Sequence, residues 1–558
     1  MHSTSNSSTF AFPLALTLGV ALNLFSNFTS WGQAPPPKKA TALFSNWQTS
    51  EAQVKRTRGR SNLDNCSIAQ SAPTCFPLLL DATGHQNLAQ GKNVNTSSPN
   101  NGAVITEIRV RFLNRRGLPI KGRTRPFIIT REFDLRPGDI YNQKLAQFGL
   151  RRVSDLDIVR RASLTLKPTE EPNRVVMVVN VVERSPFTAS LSTDTRSPSA
   201  LPGPFQPRAV SPGADIDSGF AVGGSAQLRN LAGNNQNLAV RVTGGARVLN
   251  GELSFTDPWI AGDRQRTGYS VNVFNQRAVQ SVFTGGDRDV NLPDEGEAWV
   301  HRLGGGVEFF RPLDSDLTAA LGLSYQQVSV RDDMFSSILE KRDERGNRLT
   351  FSDRGQDDLL TLSFSAALER RNDKENPTSG SRVLVGIDQS IPIGEANILF
   401  TRLSANYLQY IPLPLFGFTT GSRTLILNLQ AGTMLGDVPG YEAFNLSAGL
   451  TRGFGGGGIG TGRSFVEATA QYNFPVAIFS LFNQKVNLNG ELFVDYASDL
   501  NSGTRVLGKP AIVRSKPGEG LGYGFGLTAK TSFGTATLEF ARSYSRDNQV
   551  IFTLGERF

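Results

Sequence analysis

The sequence has too few of the residues from which metal and proton-relay chemistry is built. Its 558 residues include 3 His and 2 Cys, which leaves little material for a zinc site, a histidine relay or an iron–sulfur cluster. It also has a single long apolar run, at the very start of the chain, and its mean hydropathy is −0.23. These two features exclude a bundle of membrane-spanning helices.

What the sequence does contain is glycine and phenylalanine. There are 56 Gly and 36 Phe against 4 Trp, and this glycine content is above the roughly 7% average of proteins. Lys and Arg number 58 and Asp and Glu 49, which gives a formal net charge of +9. The length exceeds one ordinary domain, so we expect at least two units. The composition leaves two classes open, a large soluble all-β protein and a transmembrane β-barrel.

The first residues indicate the compartment. The run Ala11–Phe25 is apolar, and Gly32-Gln33-Ala34 follows it after a polar stretch. This layout is typical of a secretory signal peptide over residues 1–34, cleaved after Ala34, although residues 1–10 contain neither Lys nor Arg. The alternative is an amphipathic or anchoring N-terminus. A signal peptide favours a bacterial protein.

Residues 35–102 predict a disordered linker, because they are rich in Pro, Ser, Asn, Gln and Thr. We interpret the basic patch at residues 55–60 as solvated charge rather than as a nucleic-acid or lipid site. Cys66 and Cys75 lie close together in the same segment. In an oxidising compartment they are candidates for a small disulfide loop.

Residues 103–185 carry the pattern of a small α+β domain. Apolar and polar residues alternate where strands are predicted, and apolar residues recur at helical spacing between them. The predicted order is β-α-α-β-β, which gives a three-stranded sheet covered on one side. The elements, in chain order, are Ile105–Leu113, Phe127–Leu135, Tyr141–Val153, Val159–Leu166 and Arg174–Glu183.

Residues 186–558 repeat a pattern of strand and turn, with sixteen candidate strands. Leu238–Val248 and Val486–Tyr496 alternate between an apolar and a polar face, but soluble sandwiches alternate as well. Two features favour the membrane, since strands of about ten residues can cross it when tilted and short connections alternate with long ones. We therefore expect a mainly β protein, a 16-stranded transmembrane β-barrel after one small domain. The long connections include residues 332–356, 436–463 and 497–520.

Several segments together carry a resemblance to a known family. The small domain resembles a POTRA domain, and Ala448–Phe454, placed between the eleventh and twelfth strands, resembles the VRGF/Y motif of the sixth extracellular loop. Both belong to the BamA/TamA-type outer-membrane assembly superfamily. The terminal Phe558 resembles the C-terminal signature of bacterial outer-membrane barrels. Further segments that resemble the family are Leu253–Ile260, Asn376–Gly380 and Tyr441–Phe444.

The resemblance implies that this loop folds back into the barrel and that Arg452 pairs with an acidic residue on the inner wall. The matching acid is Asp495, in a segment that resembles the family's F-x-D, and the alternation independently places it on the polar, lumen-facing side of its strand. A planar guanidinium suits the task because it can hold a carboxylate with two hydrogen bonds. Without the resemblance, Arg452 would be interpreted as a solvated loop charge. The other candidate residues are the motif's Gly453 and Phe454 and, as second partners on the next strand, Glu467 and Gln471.

Other patterns carry no chemistry that we can assign. Gly455–Gly460 fits G-x-G-x-x-G, but no strand–helix unit surrounds it, so dinucleotide binding is not predicted. No nucleophile–base pair or metal constellation is visible. We expect no enzyme, no cofactor and no nucleic-acid partner.

The resemblance implies a protein that assists insertion of barrel proteins into an outer membrane or moves polypeptides across it. A weak seam between about Phe187–Asp194 and Asn548–Phe558 would open to pair with an incoming strand. The implied partners are unfolded outer-membrane proteins or secreted polypeptides, outer-membrane lipids and accessory lipoproteins. We expect the outer membrane of a Gram-negative-type bacterium, with the POTRA-like domain in the periplasm, or an organelle outer membrane of bacterial descent. A two-partner secretion pore and a passive solute porin are the alternative functions.

Overall fold

A computed structural model describes residues 102–194, 221–374, 376–446, 451–454, 458–481, 484–531, 534–545 and 547–554. The predicted signal peptide, nearly all of the predicted linker, Cys66, Cys75 and Phe558 lie outside the described residues. No helix in the described ranges is long and apolar enough to cross a membrane.

The first described unit is a small α+β domain. Its strands form a sheet in the order β1-β3-β2, with β3 parallel to β1 and antiparallel to β2. The core between sheet and helices is apolar, and Ile105, Phe133 and Met177 have no exposed surface. The elements are β1 Val104–Phe112, α1 Pro126–Thr130, α2 Gln143–Ser154, β2 Val159–Pro168 and β3 Arg174–Glu183.

Both helices of this domain differ in length from the prediction. The first ends at Thr130 instead of Leu135, because the next residues form tight turns in which the Phe133 N–H donates to the Thr130 carbonyl at 3.2 Å. Phe133 and Leu135 are buried all the same, so their apolar spacing reflects the core rather than a helix. The second helix begins after Asn142, whose side chain accepts the N–H groups of the first turn at 3.0 and 3.2 Å.

Sixteen of the remaining described strands close into an antiparallel barrel, which confirms the predicted fold class. The barrel order follows the chain from β4 to β14, continues with β17 to β21, and returns to β4. The first half of the barrel contains β4 Phe187–Asp194, β5 Ala221–Leu231, β6 Gln236–Gly245, β7 Val248–Asp257, β8 Gly268–Val279, β9 Trp299–Pro312, β10 Leu317–Arg331 and β11 Gln356–Glu369. The second half contains β12 Gly380–Ile391, β13 Phe400–Pro412, β14 Thr424–Gly436, β17 Ser464–Leu481, β18 Gln484–Ser498, β19 Glu519–Thr531, β20 Gly534–Ser543 and β21 Asn548–Leu554. Two short strands inside one loop, β15 Phe444–Leu446 and β16 Gly460–Gly462, pair with each other, and a short helix α3 Pro510–Val513 lies in another loop.

One predicted strand is wrong in its extent. Leu238–Val248 is not a single strand, because β6 ends at Gly245 and β7 begins at Val248 after a two-residue turn. The turn residues are Ala246 and Arg247, neither of which is typical of a tight hairpin, so the alternation continues through the turn without a signal.

The alternation along the barrel strands separates a lipid-facing side from a lumen-facing side. On β18, Leu492 and Val494 face outward with 44% and 48% of their surface exposed, whereas Asp495 is fully buried. On β19, Leu521 and Phe525 face outward with 39% and 55% exposed. An apolar outer face suits lipid, and the polar side chains point inward.

The two ends of the barrel differ. At the domain end, three residues separate β3 from β4, and the Asn230 side chain donates to the Thr124 hydroxyl at 2.8 Å. At the loop end, long connections fold into the lumen, where Phe283, Tyr441 and Phe454 join one apolar cluster with inner-wall residues. We call these the domain end and the loop end below.

Candidate functional site

The candidate site is the connection between β14 and β17, which are the eleventh and twelfth strands of the barrel in chain order. We call it the lumen loop. It enters the barrel from the loop end, forms the β15–β16 hairpin and carries Arg452, which is fully buried. A buried guanidinium must be paired and hydrogen-bonded, because an isolated charge in a low-dielectric interior is very costly.

Arg452 donates three hydrogen bonds to Asp495 on β18. Its Nε donates to Asp495 Oδ2 at 2.7 Å, its Nη2 donates to Oδ1 at 2.8 Å, and its backbone N–H donates to Oδ2 at 3.1 Å. The two side-chain bonds form the parallel fork that Arg makes with a carboxylate. Asp495 Oδ1 also accepts the Thr469 hydroxyl at 2.9 Å. The structure therefore brings together the two residues that the sequence singled out.

The third side of the guanidinium contacts a second carboxylate and an amide. Arg452 Nη1 donates to Glu539 Oε1 at 2.7 Å and to Gln471 Oε1 at 3.0 Å. Burial acts to lower the pKa of Arg452, but Asp495 and Glu539 raise it above its ordinary value, so the guanidinium stays charged. One guanidinium therefore lies between two carboxyl groups on different strands.

The guanidinium also stacks on an aromatic ring. Its Cζ lies 3.3 Å from the centroid of the Phe493 ring, a cation–π contact in a site without solvent. Sequence reasoning missed Phe493 and Glu539 as partners of Arg452. Each stands on the inward side of its strand by simple alternation, so period-two spacing contained part of the signal.

The other predicted residues take different positions. Gln471 contacts Arg452. Glu467 is buried on the same face of β17, two residues before Thr469 in the chain. Gly453 has φ of +96°, a left-handed conformation that suits glycine, and its N–H donates to Gln549 on β21 at 3.2 Å. Phe454 is buried in the apolar cluster at the loop end.

Inward-facing glycines on β19 leave space for the lumen loop and, at Gly524, for the neighbouring strands. A Cβ on Gly520 would stand 2.8 Å from the Phe454 ring, and one on Gly524 would overlap the Phe540 carbonyl oxygen and stand 2.6 Å from the ring of Phe493. Between them, Gly522 faces the backbone of Arg452. These glycines alternate with lipid-facing apolar residues, and sequence reasoning assigned them no role.

The barrel closes at a seam between its last strand and its first. Among the described residues, β21 and β4 share a single register pair, Thr553 with Asp194. On its other side, β21 pairs with β20 over the register from Ala536 to Arg542. Thr553 and Asp194 therefore mark where the barrel closes.

The described side chains do not suggest a metal or cofactor site. Within the residues that the structure describes, His, Cys, Asp and Glu nowhere form a group of three that could hold a metal ion. The polar groups of the candidate site are directed toward one another and toward the lumen loop. What this arrangement can do is hold or release that loop.

Comparisons with known proteins identify the family. The Omp85 superfamily domain matches residues 230–558. The chain is 30% identical over 465 residues to the chloroplastic outer envelope protein 80 of Oryza sativa subsp. japonica. The alignment covers 82% of this chain and 63% of that protein. It is 21% identical over 413 residues to the outer membrane protein assembly factor BamA of Neisseria meningitidis, with 70% of this chain and 43% of that protein covered. The chain thus spans less than two thirds of the length of these relatives.

Solved structures show the same fold. BamA from Haemophilus ducreyi, in a form lacking POTRA domains 1–3, superposes with a TM-score of 0.53 at 16% sequence identity. The superposition covers 80% of this chain and 84% of that one. The barrel, the buried loop and the match over more than half of the sequence agree, and the chain belongs to the Omp85 superfamily.

Proposed function

We propose that this protein inserts polypeptides into an outer membrane, or moves them across it, by letting an extended segment pair with the strand edges at its seam. The observation that carries the proposal is that the barrel closes between its first strand, β4, and its last, β21, with the lumen loop attached to β21 through Gly453 and Gln549. Opening that seam exposes unpaired backbone groups, which an incoming strand can satisfy. Insertion of barrel proteins is the form that we favour.

The small domain is suited to deliver such a segment. Within the described residues, β2 has one edge that no strand covers, and the outer edge of β1 pairs only at its start, where Val104 bridges to Ile140. A client that adds a strand there lies close to the seam, because only residues 184–186 separate β3 from β4. The domain division we propose is signal peptide 1–34, linker 35–102, POTRA-like domain 103–185 and barrel 186–558.

In this proposal Arg452 and Asp495 act as a lock. Their ion pair holds the lumen loop against β18, and the Gly453 contact with Gln549 extends the hold to the seam strand β21. As long as the ion pair is formed, the lumen loop holds the strands near the seam in place from inside the barrel. When the ion pair breaks, these strands can move.

The clients we propose are unfolded outer-membrane proteins or secreted polypeptides, with outer-membrane lipids and accessory lipoproteins as further partners. Strand exchange needs no nucleotide and no catalytic side chain, so the protein acts as a transporter or assembly factor and not as an enzyme. A passive solute porin is disfavoured, because buried loop residues such as Phe283 and Tyr441 pack across the loop end of the lumen.

The membrane we propose is the outer membrane of a Gram-negative-type bacterium, with the small domain in the periplasm. The chloroplast relatives favour the second candidate, an organelle outer membrane of bacterial descent. The leader discriminates between the two. Residues 1–34 fused to a reporter should direct export into a bacterial periplasm with cleavage after Ala34, whereas import of the full chain into isolated chloroplasts with no bacterial export would favour the organelle.

A disulfide across the seam tests the function. In a background with Cys66→Ser and Cys75→Ser, the pair Asp194→Cys and Thr553→Cys joins β4 to β21 at their register pair. Oxidised protein in liposomes should lose the acceleration of client-barrel folding, and a reductant should restore it. The matched control is Thr528→Cys with Thr537→Cys, which joins β19 to β20, and it should keep activity in both states. Full activity of the oxidised seam variant would refute the proposal, and a large steady conductance without clients would favour a secretion pore.

A further inference from the structure

The first limb of the lumen loop is held by a second buried cluster, separate from the Arg452 pocket. Glu442 Oε1 accepts Arg302 Nη1 at 2.5 Å, and Glu442 Oε2 accepts Arg402 Nη2 at 2.5 Å. All three side chains are less than a tenth exposed. Burial acts to raise the pKa of Glu442, but the two arginines hold it below its ordinary value, so the carboxylate stays charged. We call this group the Glu442 clamp.

The neighbouring tyrosine extends the clamp. Tyr441 has no exposed surface, and its hydroxyl donates to Asp357 Oδ2 at 2.5 Å. Asp357 also accepts the backbone N–H groups of Phe351 and Ser352 at 2.6 and 2.7 Å. The Tyr441 carbonyl accepts a hydrogen bond from Arg302. Backbone and side chains of two consecutive loop residues are therefore fixed to the wall.

The two ends of the loop are attached to different parts of the sheet. The Glu442 clamp uses Arg302 on β9, Asp357 on β11 and Arg402 on β13, which lie in the middle of the barrel sequence. The Arg452 pocket uses Asp495 on β18 and Glu539 on β20, and the adjacent Gly453 reaches β21. The two described parts of the loop are thus attached to a wall remote from the seam and to the strands beside it.

This arrangement makes the two attachments unequal when the seam opens. The registers of β9 with β10 and of β12 with β13 are uninterrupted, and these strands lie away from the seam in the barrel order. Arg452 is held by β18 and β20, which belong to the last four strands before the seam between β21 and β4. A movement of the last strands changes the positions of Glu539 and Gln549 relative to the loop, but leaves Arg302 and Arg402 in place.

We propose that Glu442 is a positioning residue that keeps the lumen loop attached to the remote wall while the Arg452 end is released. The loop then works as a tether with one fixed and one releasable end, and it returns to its pocket when the seam closes. This inference rests on the proposed function only for the release step. The independence of the two attachments is a property of the free protein.

Cysteine labelling measures the two ends separately. In the Cys66→Ser, Cys75→Ser background, Thr451→Cys reports on the Arg452 end and Ala443→Cys on the Glu442 end, since both residues are fully buried. Glu442→Gln should raise maleimide labelling of Ala443→Cys by about tenfold or more, the change that a loss of about 1.4 kcal/mol in opening free energy produces. Asp495→Asn should do the same for Thr451→Cys and leave Ala443→Cys unchanged. The inference is overturned if Asp495→Asn speeds the labelling of Ala443→Cys, or if Glu442→Gln does not speed it.

A second variant separates positioning from charge burial. Glu442→Gln leaves buried Arg302 without its acid and Arg402 with Asp388 alone, which destabilises the barrel by itself. The double variant Glu442→Gln with Arg302→Gln removes one of these charges, so folding should recover, as checked by the gel shift of unheated protein. Labelling of Ala443→Cys should stay fast in it. If labelling returns to the slow rate together with folding, Glu442 balances charge and does not position the loop.

The release step is tested with a client barrel on the folded protein in liposomes. During client insertion, Thr451→Cys should become reactive while Ala443→Cys remains protected. If clients fold faster but neither cysteine becomes reactive, or both do, the fixed-and-releasable tether is wrong and the proposed function survives. If clients do not fold faster at all, the proposed function fails, and the labelling of the free variants still decides whether Glu442 positions the loop.

Discussion

Gly522 and Arg452 touch backbone to backbone: a Cβ on Gly522 would occupy the space of the Arg452 carbonyl oxygen. The lumen loop therefore approaches β19 more closely than any other residue at that position would allow. The ion pair to Asp495 depends on this approach, because the backbone N–H of Arg452 also donates to the carboxylate. The absence of a side chain at Gly522 on β19 thus allows the approach on which the Arg452–Asp495 ion pair depends.

Gly522→Ala should displace the lumen loop while every charged side chain remains. Because a buried carbonyl oxygen cannot yield as a flexible side chain can, we expect a loss of about 1–3 kcal/mol in the free energy of unfolding. Urea unfolding in lipid vesicles measures it. The matched control is Gly244→Ala on β6, where a Cβ would meet nothing within 4 Å. Equal stability of the two variants would show that the close approach is not required.

Arg452→Ala should destabilise the barrel by about 3–5 kcal/mol, because it leaves Asp495 and Glu539 buried without a cation. Arg452→Lys should recover only part of this loss, since an ammonium cannot form the two-bonded fork. In the double variant Arg452→Ala with Asp495→Ala, the loss should be smaller than the sum of the single losses. Additive losses would mean that the pair contributes no coupling energy.

Phe493→Leu tests the ring beneath the guanidinium. Leucine keeps an apolar side chain there but has no π face, so the cation–π contact is lost and we expect about 1–2 kcal/mol less stability. The same substitution in the Arg452→Ala background should cost clearly less. That difference, measured by the same unfolding experiment, isolates the stacking from the packing of the ring.

Period-two alternation predicted much of this site. It places Asp495, Gln471 and Glu539 on inward faces, because successive side chains of a strand point to opposite sides. It does not say which inward residues meet, since that is set by the closure of the barrel and by the path of the loop. Gln471 was therefore identified as a partner of Arg452 and Glu539 was not.

The same limit explains the other misses. Phe493 occupies an inward-facing position of β18 among residues that are otherwise polar. Because its side chain is apolar, the sequence gave no reason to place it under a guanidinium. The glycines of β19 have meaning only when the loop lies against them. The predicted strand boundaries were wrong where a turn contains residues that are not typical of turns, as at Ala246 and Arg247. Local patterns predict faces, whereas contacts between distant segments require the fold.

Trp259→Ala should loosen the small domain from the barrel. Two guanidinium groups contact the ring, with Cζ of Arg131 in the domain at 4.4 Å and Cζ of Arg266 in the barrel at 5.1 Å from the ring centroid. Removing it abolishes both cation–π contacts. We expect faster protease cleavage at residues 184–186, which join the two units. Trp259→Phe keeps a π face and should be cleaved at an intermediate rate, and Trp299→Phe on β9 serves as the control.

The same junction gives the domain a pH dependence. Burial raises the pKa of the Glu132 carboxyl above its ordinary 4.5, although Arg266, Arg131 and Arg152 act to lower it. The native domain therefore takes up a proton before the unfolded one as the pH falls from neutral. Because the state that binds more protons is favoured at lower pH, domain stability should rise as the pH falls from neutral through the raised pKa, with the gain complete below 4.5.

Glu132→Gln should remove this dependence, because the amide cannot ionise and remains neutral at every pH. At pH 7 the variant should be as stable as the parent or more so, since it no longer buries a charge. Hydrogen exchange of β3 amides in the full-length protein, corrected for the intrinsic rates at each pH, measures both effects on the domain while the barrel stays folded. A parent protein whose domain protection falls on acidification from pH 7 to pH 5, in step with the variant, would show that the three arginines outweigh burial at Glu132.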